Sequence, residues 1–321
     1  MAGNLKQAAS ILRILNKTPD FIPIKTLAEQ ADIGPETLAV LIEQLNGLDK
    51  NLFERIGDLI RLSRELDLLD QAYLRQHSSR GRIQLEDEVG STNTMMSDHA
   101  DNMVDGDVII AEIQSQGRGR RDRPWQGSIG TQVTFSLAWS FSKLQSITGL
   151  SVAVGTTIVR TLRAMGFDTV MLKWPNDLYI GDRKFGGILV ETATRKNSTF
   201  AVIGVGINVF FDEYNQFMNE FGSLDQGVGE GSRENLERNL LAVSIVNAMR
   251  GDLRKFEESG FREFREDATQ YDYLKGRKVT ISVYNKVFKG KVLGIDENGL
   301  LILQAGKRNL SLRSGHIVSY K

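Results

Sequence analysis

The sequence lacks cysteine altogether, and it contains only three histidines. Without cysteine the chain cannot form disulfides, thiolate zinc sites or a thiol nucleophile. The histidines, His77, His99 and His316, are far apart in the sequence, which argues against a histidine-rich metal site and against a Ser-His-Asp triad. We therefore expect no metal site built from protein ligands alone.

Net charge and long apolar runs are also missing. The chain has 40 Lys and Arg residues against 40 Asp and Glu residues, so it is not a general nucleic-acid coat, and any binding of anions must be local. No apolar run approaches the roughly 18 residues that a membrane span needs, and the N-terminus has no apolar signal-peptide region. We expect a cytoplasmic protein without membrane contacts.

The length of 321 residues and the 41% share of hydrophobic residues allow two or three domains with sizeable cores. A polar stretch at 77–82 separates a helix-rich start from a strand-rich middle. The pattern changes again near residue 273, after which short strands follow one another closely. We therefore predict domains at 1–77, 78–272 and 273–321.

The first predicted domain combines three helices with a hairpin. Apolar residues recur at helical spacing in 5–15, 24–31 and 35–48, and Pro35 suits the first position of a helix. Two short apolar segments within 52–62 then predict a β-hairpin. This order of elements is typical of a winged helix-turn-helix.

The rest of the chain is rich in strands. Longer strands are predicted at 83–89, 107–114, 132–139, 169–180, 184–192 and 199–210, and helices at 147–165 and 235–264. Shorter strands are predicted at 278–284, 287–295, 300–304, 309–312 and 317–320. We infer an α+β protein, with a mixed or antiparallel central sheet and helices, followed by a small β-barrel.

The segment from Gln116 to Trp125 holds four arginines and two glycines in ten residues. Arginine is rarely buried unpaired and glycine weakens helices and strands, so we predict a mobile cationic loop. Such a loop could be a solvated surface segment, a nucleic-acid patch, or a clamp over the phosphates of a nucleotide with Trp125 stacked on a base. Asp122 and Pro124 favour a defined closed shape.

A second polar cluster is the segment 173–177, with the sequence Lys-Trp-Pro-Asn-Asp. Because proline cannot donate to a strand ladder, Pro175 should end one strand, and Lys184 begins the next. The paired glycines at 186–187 indicate close approach by a ligand or by another backbone. A plain hairpin is the alternative, and the spacing does not fit a Walker A loop.

A third candidate is the Ser-Thr-Asn segment at 91–93, between a strand and a helix that is expected to start near Thr94. These residue types can cap a helix. They can equally present hydroxyl and backbone N–H groups to the polar head of a ligand.

Taken together, these segments resemble the biotin protein ligases. The resemblance is carried by residues 91–93, 114 with 117–121, 173–177, 184 with 187–191, and 204–208. The predicted winged helix and terminal barrel match the bifunctional bacterial type, which is also the biotin-operon repressor. The resemblance covers nearly the whole chain and implies a class II synthetase-like ligase domain with an SH3-like terminal barrel.

The resemblance implies a two-step reaction. Biotin and ATP, bound as MgATP, would give biotinyl-5′-AMP and pyrophosphate. Biotin would then pass to a lysine of the biotin carboxyl carrier protein of acetyl-CoA carboxylase. In catalysis, Arg118 and Lys184 would contact the activated carboxyl and phosphate, and Asp177 would orient the reacting groups or help to hold Mg²⁺.

The same resemblance assigns the contacts of biotin and of its adenylate. The ureido head would be held by the 91–93 segment and Gln114, while Trp125 would stack on adenine. The full predicted binding set is Ser91, Thr92, Asn93, Gln114, Gly117, Arg118, Gly119, Arg120, Arg121, Trp125, Lys173, Asn176, Lys184, Gly187 and Asn208. Asp122 stands where the family usually has Gly, and we expect its carboxylate to pair with Arg120 or Arg123 and weaken the clamp.

Operator DNA, and a homodimer formed on adenylate binding, are further partners that the resemblance implies. Candidate DNA contacts are Thr37, Arg55 and Arg61. The charge pattern argues against them, because the predicted third helix has no Lys or Arg, and residues 1–77 carry nine basic against eleven acidic residues. DNA binding, and an N-terminal domain that only packs or contacts protein, both remain open.

Two other functions fit the same fold. One is a biotin-sensing transcription regulator that binds without catalysing, and the intact Arg118 and Lys184 argue against it. The other is a lipoate or octanoyl ligase. Those enzymes lack the Gly-Arg loop in this form, so the loop favours a biotin ligase.

Overall fold

The computed structural model describes residues 7–79, 81–142, 147–194, 198–211, 221–227, 235–284 and 286–321, without the side chain of Asp122. In these ranges the strands form three β-sheets, and the helices pack on them. The largest apolar core lies under the seven-stranded central sheet and continues into the C-terminal sheet. No helix in the described ranges is both long and apolar enough to cross a membrane.

The N-terminal part has the predicted order of three helices and a hairpin. Its elements are α1 Ala8–Asn16, β1 Ile22–Pro23, α2 Ile24–Gln30, α3 Pro35–Leu48, β2 Phe53–Ile56 and β3 Leu59–Leu62. The three strands form one sheet in the order β1-β3-β2. Pro35 occupies the first turn of α3, as predicted, where its missing N–H leaves no helical bond unmade.

The N-terminal part packs directly on the central sheet. Its apolar core includes Ile113 and Ile129, which belong to the strand-rich part of the chain. The buried carboxylate of Asp49 accepts hydrogen bonds from the Ile129 N–H at 3.1 Å and from Arg64 at 2.6 Å. A shared core and a buried polar contact therefore join the two parts.

The polar stretch predicted as a boundary, 77–82, is held by other elements. It follows α4 (Gln71–His77), and Arg80 within it lies outside the described residues. The side chain of Asn247 accepts from the Ser79 N–H at 2.7 Å and donates to the His77 carbonyl at 2.9 Å. The described residues at the start of this stretch are therefore anchored by hydrogen bonds and do not form a free linker.

The central part is the predicted mixture of helices and strands. Its elements are β4 Ile83–Val89, α5 Thr92–Asp98, β5 Val108–Gln114, β6 Gln132–Ser142, α6 Leu150–Ala164, β7 Val170–Lys173, β8 Asp177–Ile180, β9 Arg183–Thr194, β10 Ser198–Asn208, α7 Arg238–Ser259 and α8 Arg265–Gln270. The sheet order is β4-β5-β6-β10-β9-β8-β7, with β4 and β5 parallel and the other pairs antiparallel.

Two predicted elements are divided in the structure. The segment predicted as strand over 169–180 is the hairpin β7–β8, and the chain reverses around Pro175, where the sequence predicted that a strand ends. The helix predicted over 235–264 ends as α7 at Ser259, where Gly260 has a φ of +67° that a helix cannot continue through. Amphipathic periodicity runs across such a break, so it does not reveal where one helix ends.

The C-terminal part contains the five predicted strands. They are β11 Lys278–Val283, β12 Lys286–Ile295, β13 Leu301–Ala305, β14 Arg308–Leu312 and β15 His316–Tyr320, in the sheet order β14-β13-β12-β11-β15. Residues 273–321 hold ten Lys and Arg against two acidic residues. Lys278 lies opposite Lys291 and exchanges backbone hydrogen bonds with Lys321, so three exposed lysines form one row across the sheet.

Candidate functional site

The three segments singled out in the sequence meet at one cavity of about 360 Å³ on the central sheet. Thirteen of the fifteen predicted binding residues line it: Ser91, Thr92, Asn93, Gln114, Arg118, Gly119, Arg120, Arg121, Trp125, Lys173, Asn176, Lys184 and Gly187. The predicted catalytic residue Asp177 lines it as well. Gly117 and Asn208 do not. Asn208 instead accepts from the side chain of Gln132 at 2.7 Å and donates to the Gly222 carbonyl.

One end of the cavity is neutral and rich in hydrogen-bonding groups. Gln114 Oε1 accepts from the backbone N–H of Thr92 at 2.9 Å, and it lies 3.2 Å from the Thr92 hydroxyl. Ser91 occupies the position before α5 but makes no side-chain cap bond. Its hydroxyl does not cap the helix, so the ligand-binding alternative for the 91–93 segment gains support.

Asn93 is held at this end by two residues that the sequence did not single out for a role. Its Oδ1 lies 2.5 Å from the hydroxyl of Ser136 on β6, and its Nδ2 donates to Glu191 on β9 at 2.7 Å. Asn93 and Ser136 are buried. A buried amide with its bonds satisfied is fixed in orientation, so the neighbouring strands preorganise this polar end.

Two glycines of β10 let pocket side chains lie flat against the sheet. A Cβ placed on Gly204 would lie 2.2 Å from Asn93 Oδ1, and one on Gly206 would lie 2.5 Å from the Trp125 ring. Both distances are far below van der Waals contact. These positions therefore need glycine because of close approach. The close approach predicted for the paired glycines 186–187 is found at Gly186, where a Cβ would lie 2.9 Å from the backbone carbonyl of Gly206.

The arginine-rich loop has a closed shape. Arg118 and Pro124 pair as an antiparallel bridge, and the Gly119 N–H donates to the Arg123 carbonyl at 2.7 Å. The Trp125 N–H donates to the Gly117 carbonyl at 2.8 Å. The defined shape inferred from the sequence is therefore present, while the expected pairing of Asp122 lies outside the described side chains.

The other end of the cavity is cationic. Lys184 Nζ lies 2.7 Å from the carboxylate of Asp177, and Arg120 donates to Asn176 Oδ1 at 2.5 Å. Burial lowers the pKa of Arg120, with Asp177 acting in the opposite direction and Arg121 in the same one. Arg118 contacts Glu191 at 3.4 Å. The same Glu191 accepts from Asn93, so Arg118 lies toward the neutral end, while Lys184 and Asp177 form a pair at the cationic end. All three predicted catalytic residues line the cavity, and each cation contacts a carboxylate.

Lys173 connects this end to the C-terminal sheet. Its ammonium donates to the Tyr179 hydroxyl at 2.8 Å and lies 4.5 Å from the centre of the Tyr320 ring. Burial lowers the pKa of Lys173, and Asp177 raises it. Burial also raises the pKa of Tyr179, with a further contribution from Asp177. Cation–π contact holds a lysine that is partly removed from water.

The C-terminal sheet also contributes residues 315–317 to the cavity wall. These residues were predicted only as the approach to a short strand. No motif marks them, because they reach the cavity through packing of the C-terminal sheet on β7 and β8. Contacts of this kind depend on topology and leave no local signal in the sequence.

The candidate DNA contacts lie away from the cavity. Thr37 is on α3, and Arg55 and Arg61 are on β2 and β3. Arg61 is paired with Glu54 at 2.7 Å and lies 4.6 Å from the Phe21 ring centre. Among the described residues, no group of three His, Asp or Glu side chains is arranged to hold a metal ion.

Comparison with known proteins relates this cavity to a family. A model of the Biotin/lipoate A/B protein ligase family matches residues 87–208. The Bifunctional ligase/repressor BirA of Escherichia coli (strain K12) is 31% identical over 268 residues, which cover 82% of this chain and 82% of that protein. The chain belongs to this ligase family.

A second curated ligase and a solved ligase structure are also similar to this chain. The Biotin--[acetyl-CoA-carboxylase] ligase of Mycobacterium tuberculosis (strain ATCC 25618 / H37Rv) is 28% identical over 239 residues, covering 72% of this chain and 86% of that protein. A solved structure, the biotin protein ligase from Aquifex aeolicus in complex with biotin and ATP, superposes with a TM-score of 0.63 at 24% identity. It covers 75% of this chain and 98% of that chain, and it shows a shared fold.

These matches confirm the resemblance and the predicted α+β class. The matched region 87–208 includes both ends of the cavity and the arginine-rich loop between them. Residues 315–317 lie beyond it. The family model therefore accounts for most of the cavity, and the wall supplied by the C-terminal sheet is additional.

Proposed function

We propose that this protein is a biotin–[acetyl-CoA-carboxylase] ligase. In the first step, a carboxylate oxygen of biotin attacks the α-phosphorus of MgATP, forming biotinyl-5′-AMP and releasing pyrophosphate. In the second, the uncharged amine of a carrier-protein lysine attacks the acyl carbon. The amide forms, AMP leaves, and the amine loses a proton. The carrier is the biotin carboxyl carrier protein, and the reaction belongs in the cytoplasm.

One observation carries the proposal: a single cavity has a neutral hydrogen-bonding end and a cationic end. Biotin has a ureido head with donors and acceptors, an apolar body and a carboxylate. The Asn93 end suits the head, Trp125 and Leu189 offer apolar surface, and Lys184 suits the carboxylate. ATP adds several negative charges at the same cationic end.

The first step brings two anions together, so it depends on cations that are already in place. Arg118 and Lys184 line the cavity and are each held by a carboxylate, Glu191 and Asp177 respectively. We assign both cations to the carboxyl and α-phosphate oxygens, where they offset charge in the transition state. Asp177 fixes the position of Lys184, and we assign it the further role of contacting the Mg²⁺ that would arrive with the nucleotide.

The second step needs an adenylate that water does not reach. The closed loop 117–125 forms part of the cavity wall, so it covers the reacting atoms when the cavity is filled. Excluding water protects a reactive acyl phosphate until the carrier lysine arrives. The loop therefore serves both binding and retention of the intermediate.

The neutral end separates this proposal from a lipoate ligase. A lipoyl ring is apolar and offers no hydrogen bond to the hydroxyl and amide groups that line this end, and covering such groups without replacing their bonds to water costs affinity. Lys184 and Arg118 separate the proposed ligase from a regulator that binds biotin without catalysis, because a protein that only binds has no need of cations that stabilise a transition state. Both alternatives remain part of the test.

The test measures the two steps separately. Biotin-dependent exchange of labelled pyrophosphate into ATP reports the first step, and transfer of labelled biotin to a carrier domain reports the second. We expect Lys184→Ala to lose nearly all exchange. Lys307→Ala, an exposed lysine in the β13–β14 turn, should not change it. Lipoate supporting exchange better than biotin, or full exchange in Lys184→Ala, would refute the proposal.

We further propose that the chain has three domains, a winged helix-turn-helix at 1–77, the ligase domain at 78–272 and an SH3-like barrel at 273–321. The element orders of the first and last parts support this division. The first and last domains each share an apolar core with the central one, so the boundaries are not loose joints.

The charges of the N-terminal domain give little support to DNA binding, and hence to a role in repression. Relatives named ligase/repressor suggest a repressor role, and we propose operator binding with dimerisation on the adenylate. However, Arg61 and Arg64 are committed to Glu54 and Asp49. We infer weak DNA binding, tested by gel shift on the biotin-operon promoter with biotin and ATP present. A tight, salt-dependent shift would show that the N-terminal domain has phosphate contacts that its charge pattern does not reveal.

A further inference from the structure

His316 is the one histidine among the described residues that line the cavity. It is the first residue of β15 and faces the cationic end. The charged side chains lining the cavity with it are Arg118, Arg120, Arg121, Arg123, Lys173, Lys184 and Asp177. This wall has six cations and one carboxylate among the described side chains, an imbalance that suits a polyanion.

The strand that bears His316 is fastened at both ends. His316 pairs with Ser282 of β11, and Tyr320 at the far end of β15 contacts Lys173. A further bond runs from Trp174 Nε1 to the Gly299 carbonyl at 3.2 Å. The C-terminal sheet is therefore held against the cavity, and the backbone that bears the imidazole has a fixed place in the cavity wall.

We propose that His316 binds the polyphosphate of the nucleotide in its protonated form, so that MgATP binding takes up a proton. The proposal rests on the ligase function proposed above. In the free protein the imidazolium is disfavoured by burial and by neighbours that are mostly cations. Burial first, and then Arg121, Arg123 and Lys173, lower the pKa of His316, with Asp177 acting in the opposite direction. Bound polyphosphate reverses this balance, since it brings negative charge to the same wall.

The sign of the pH dependence follows from this balance. Below both pKa values of His316, free and bound, the ring is protonated in either state and affinity does not change. Between the two, only the complex is protonated, and the affinity for MgATP falls by up to about tenfold per pH unit as pH rises. Above both, the ring contributes no proton, and this dependence ends.

The experiment is calorimetric titration of the full-length protein with MgATP at neutral pH. Two buffers with different enthalpies of ionisation, Tris and HEPES, give the number of protons exchanged. Wild type should take up a fraction of a proton more than His316→Asn. Magnesium pyrophosphate should give the same difference, because the proposal involves only the polyphosphate. Titration of the nucleotide's own phosphates is common to both proteins and cancels.

Two further variants keep the test decisive. His99→Asn removes an exposed histidine outside the cavity lining and should keep the wild-type proton count. His316→Lys carries a fixed charge and should bind MgATP without the extra proton. A His316→Asn protein that binds more weakly with an unchanged proton count would show a merely structural role and overturn the proposal. Absence of MgATP and pyrophosphate binding in wild type would also overturn this proposal, whereas the ligase function is overturned by absence of the biotin-dependent exchange described above.

Discussion

The buried ion pair between Arg238 and Glu112 should dominate the stability of the region where the N-terminal part meets the sheet. Both side chains are 1% exposed, and their charged atoms lie 2.8 Å apart. Arg238 Nε also donates to the Gln132 carbonyl at 2.6 Å, while Glu112 accepts from the Leu69 N–H at 2.8 Å. The pair thus joins α7, the central sheet and the segment that leaves the N-terminal part.

Removing one member of the pair leaves the other charged and out of water. We expect Arg238→Met to lower the free energy of unfolding by about 3–5 kcal/mol, and Glu112→Gln by a similar amount. The double variant Arg238→Met/Glu112→Leu removes both charges, so its loss should be at least about 2 kcal/mol smaller than the sum of the two single losses. The double variant should still be less stable than wild type, because the backbone carbonyls of Gln132 and Asp67 lose the hydrogen bonds that Arg238 donates to them.

Urea unfolding followed by circular dichroism measures these differences. The exposed pair of Arg61 and Glu54 provides the control, since its side chains are 38% and 44% exposed, and Arg61→Met should cost no more than about 1 kcal/mol. Additive losses in the double variant, or a loss in Arg238→Met no larger than in Arg61→Met, would refute the reasoning from burial.

Three other outcomes follow from the structure. Gly204→Ala should displace Asn93 and break its hydrogen bonds to Ser136 and Glu191. Holding Asn93 in its binding orientation without these two bonds costs about 1 kcal/mol for each, so biotin binding should weaken about thirtyfold by calorimetry, whereas Gly47→Ala, which meets nothing within 4 Å, should leave it unchanged. Arg118→Gly should release biotinyl-AMP and label proteins less selectively; equal retention of the adenylate in mutant and wild type would contradict this. Burial raises the pKa of Asp272 from 3.8 to about 7, so the folded state holds a proton that the unfolded state has lost, and stability should fall as pH rises across that window and level off above it. Asp272→Asn should abolish this decline in urea unfolding; an unchanged slope would show that Asp272 does not titrate as described.

The motifs of the site could be predicted because their residue types are hard to explain otherwise. Four arginines beside two glycines do not fit a core, and Pro175 does not fit the middle of a strand. Such local conflicts mark positions where a ligand decides the sequence. The strand order of the central sheet then brings these segments together, which the sequence implied only through its resemblance to a family.

The supporting residues could not be predicted in the same way. Ser136 looks like any polar residue on a strand, and its contact with Asn93 depends on β6 lying beside β10. His316 looked like the approach to a short strand, and its place in the cavity depends on how the C-terminal sheet packs. The end of α7 was missed because the apolar periodicity continues past Gly260. The first two misses concern contacts between segments distant in the sequence, which leave no local pattern. The third had a local signal in Gly260, which the continuing apolar periodicity outweighed.

The lysine row across the C-terminal sheet has a practical meaning for handling the protein. The sequence has an isoelectric point near 6.9, which predicts no retention on either kind of ion exchanger at that pH. Adsorption to a resin depends on the local density of charge rather than on the total. Lys278, Lys291 and Lys321 stand side by side with no carboxylate paired to them among the described side chains. Although the net charge is zero, we therefore expect a cation exchanger to retain the protein through this lysine row.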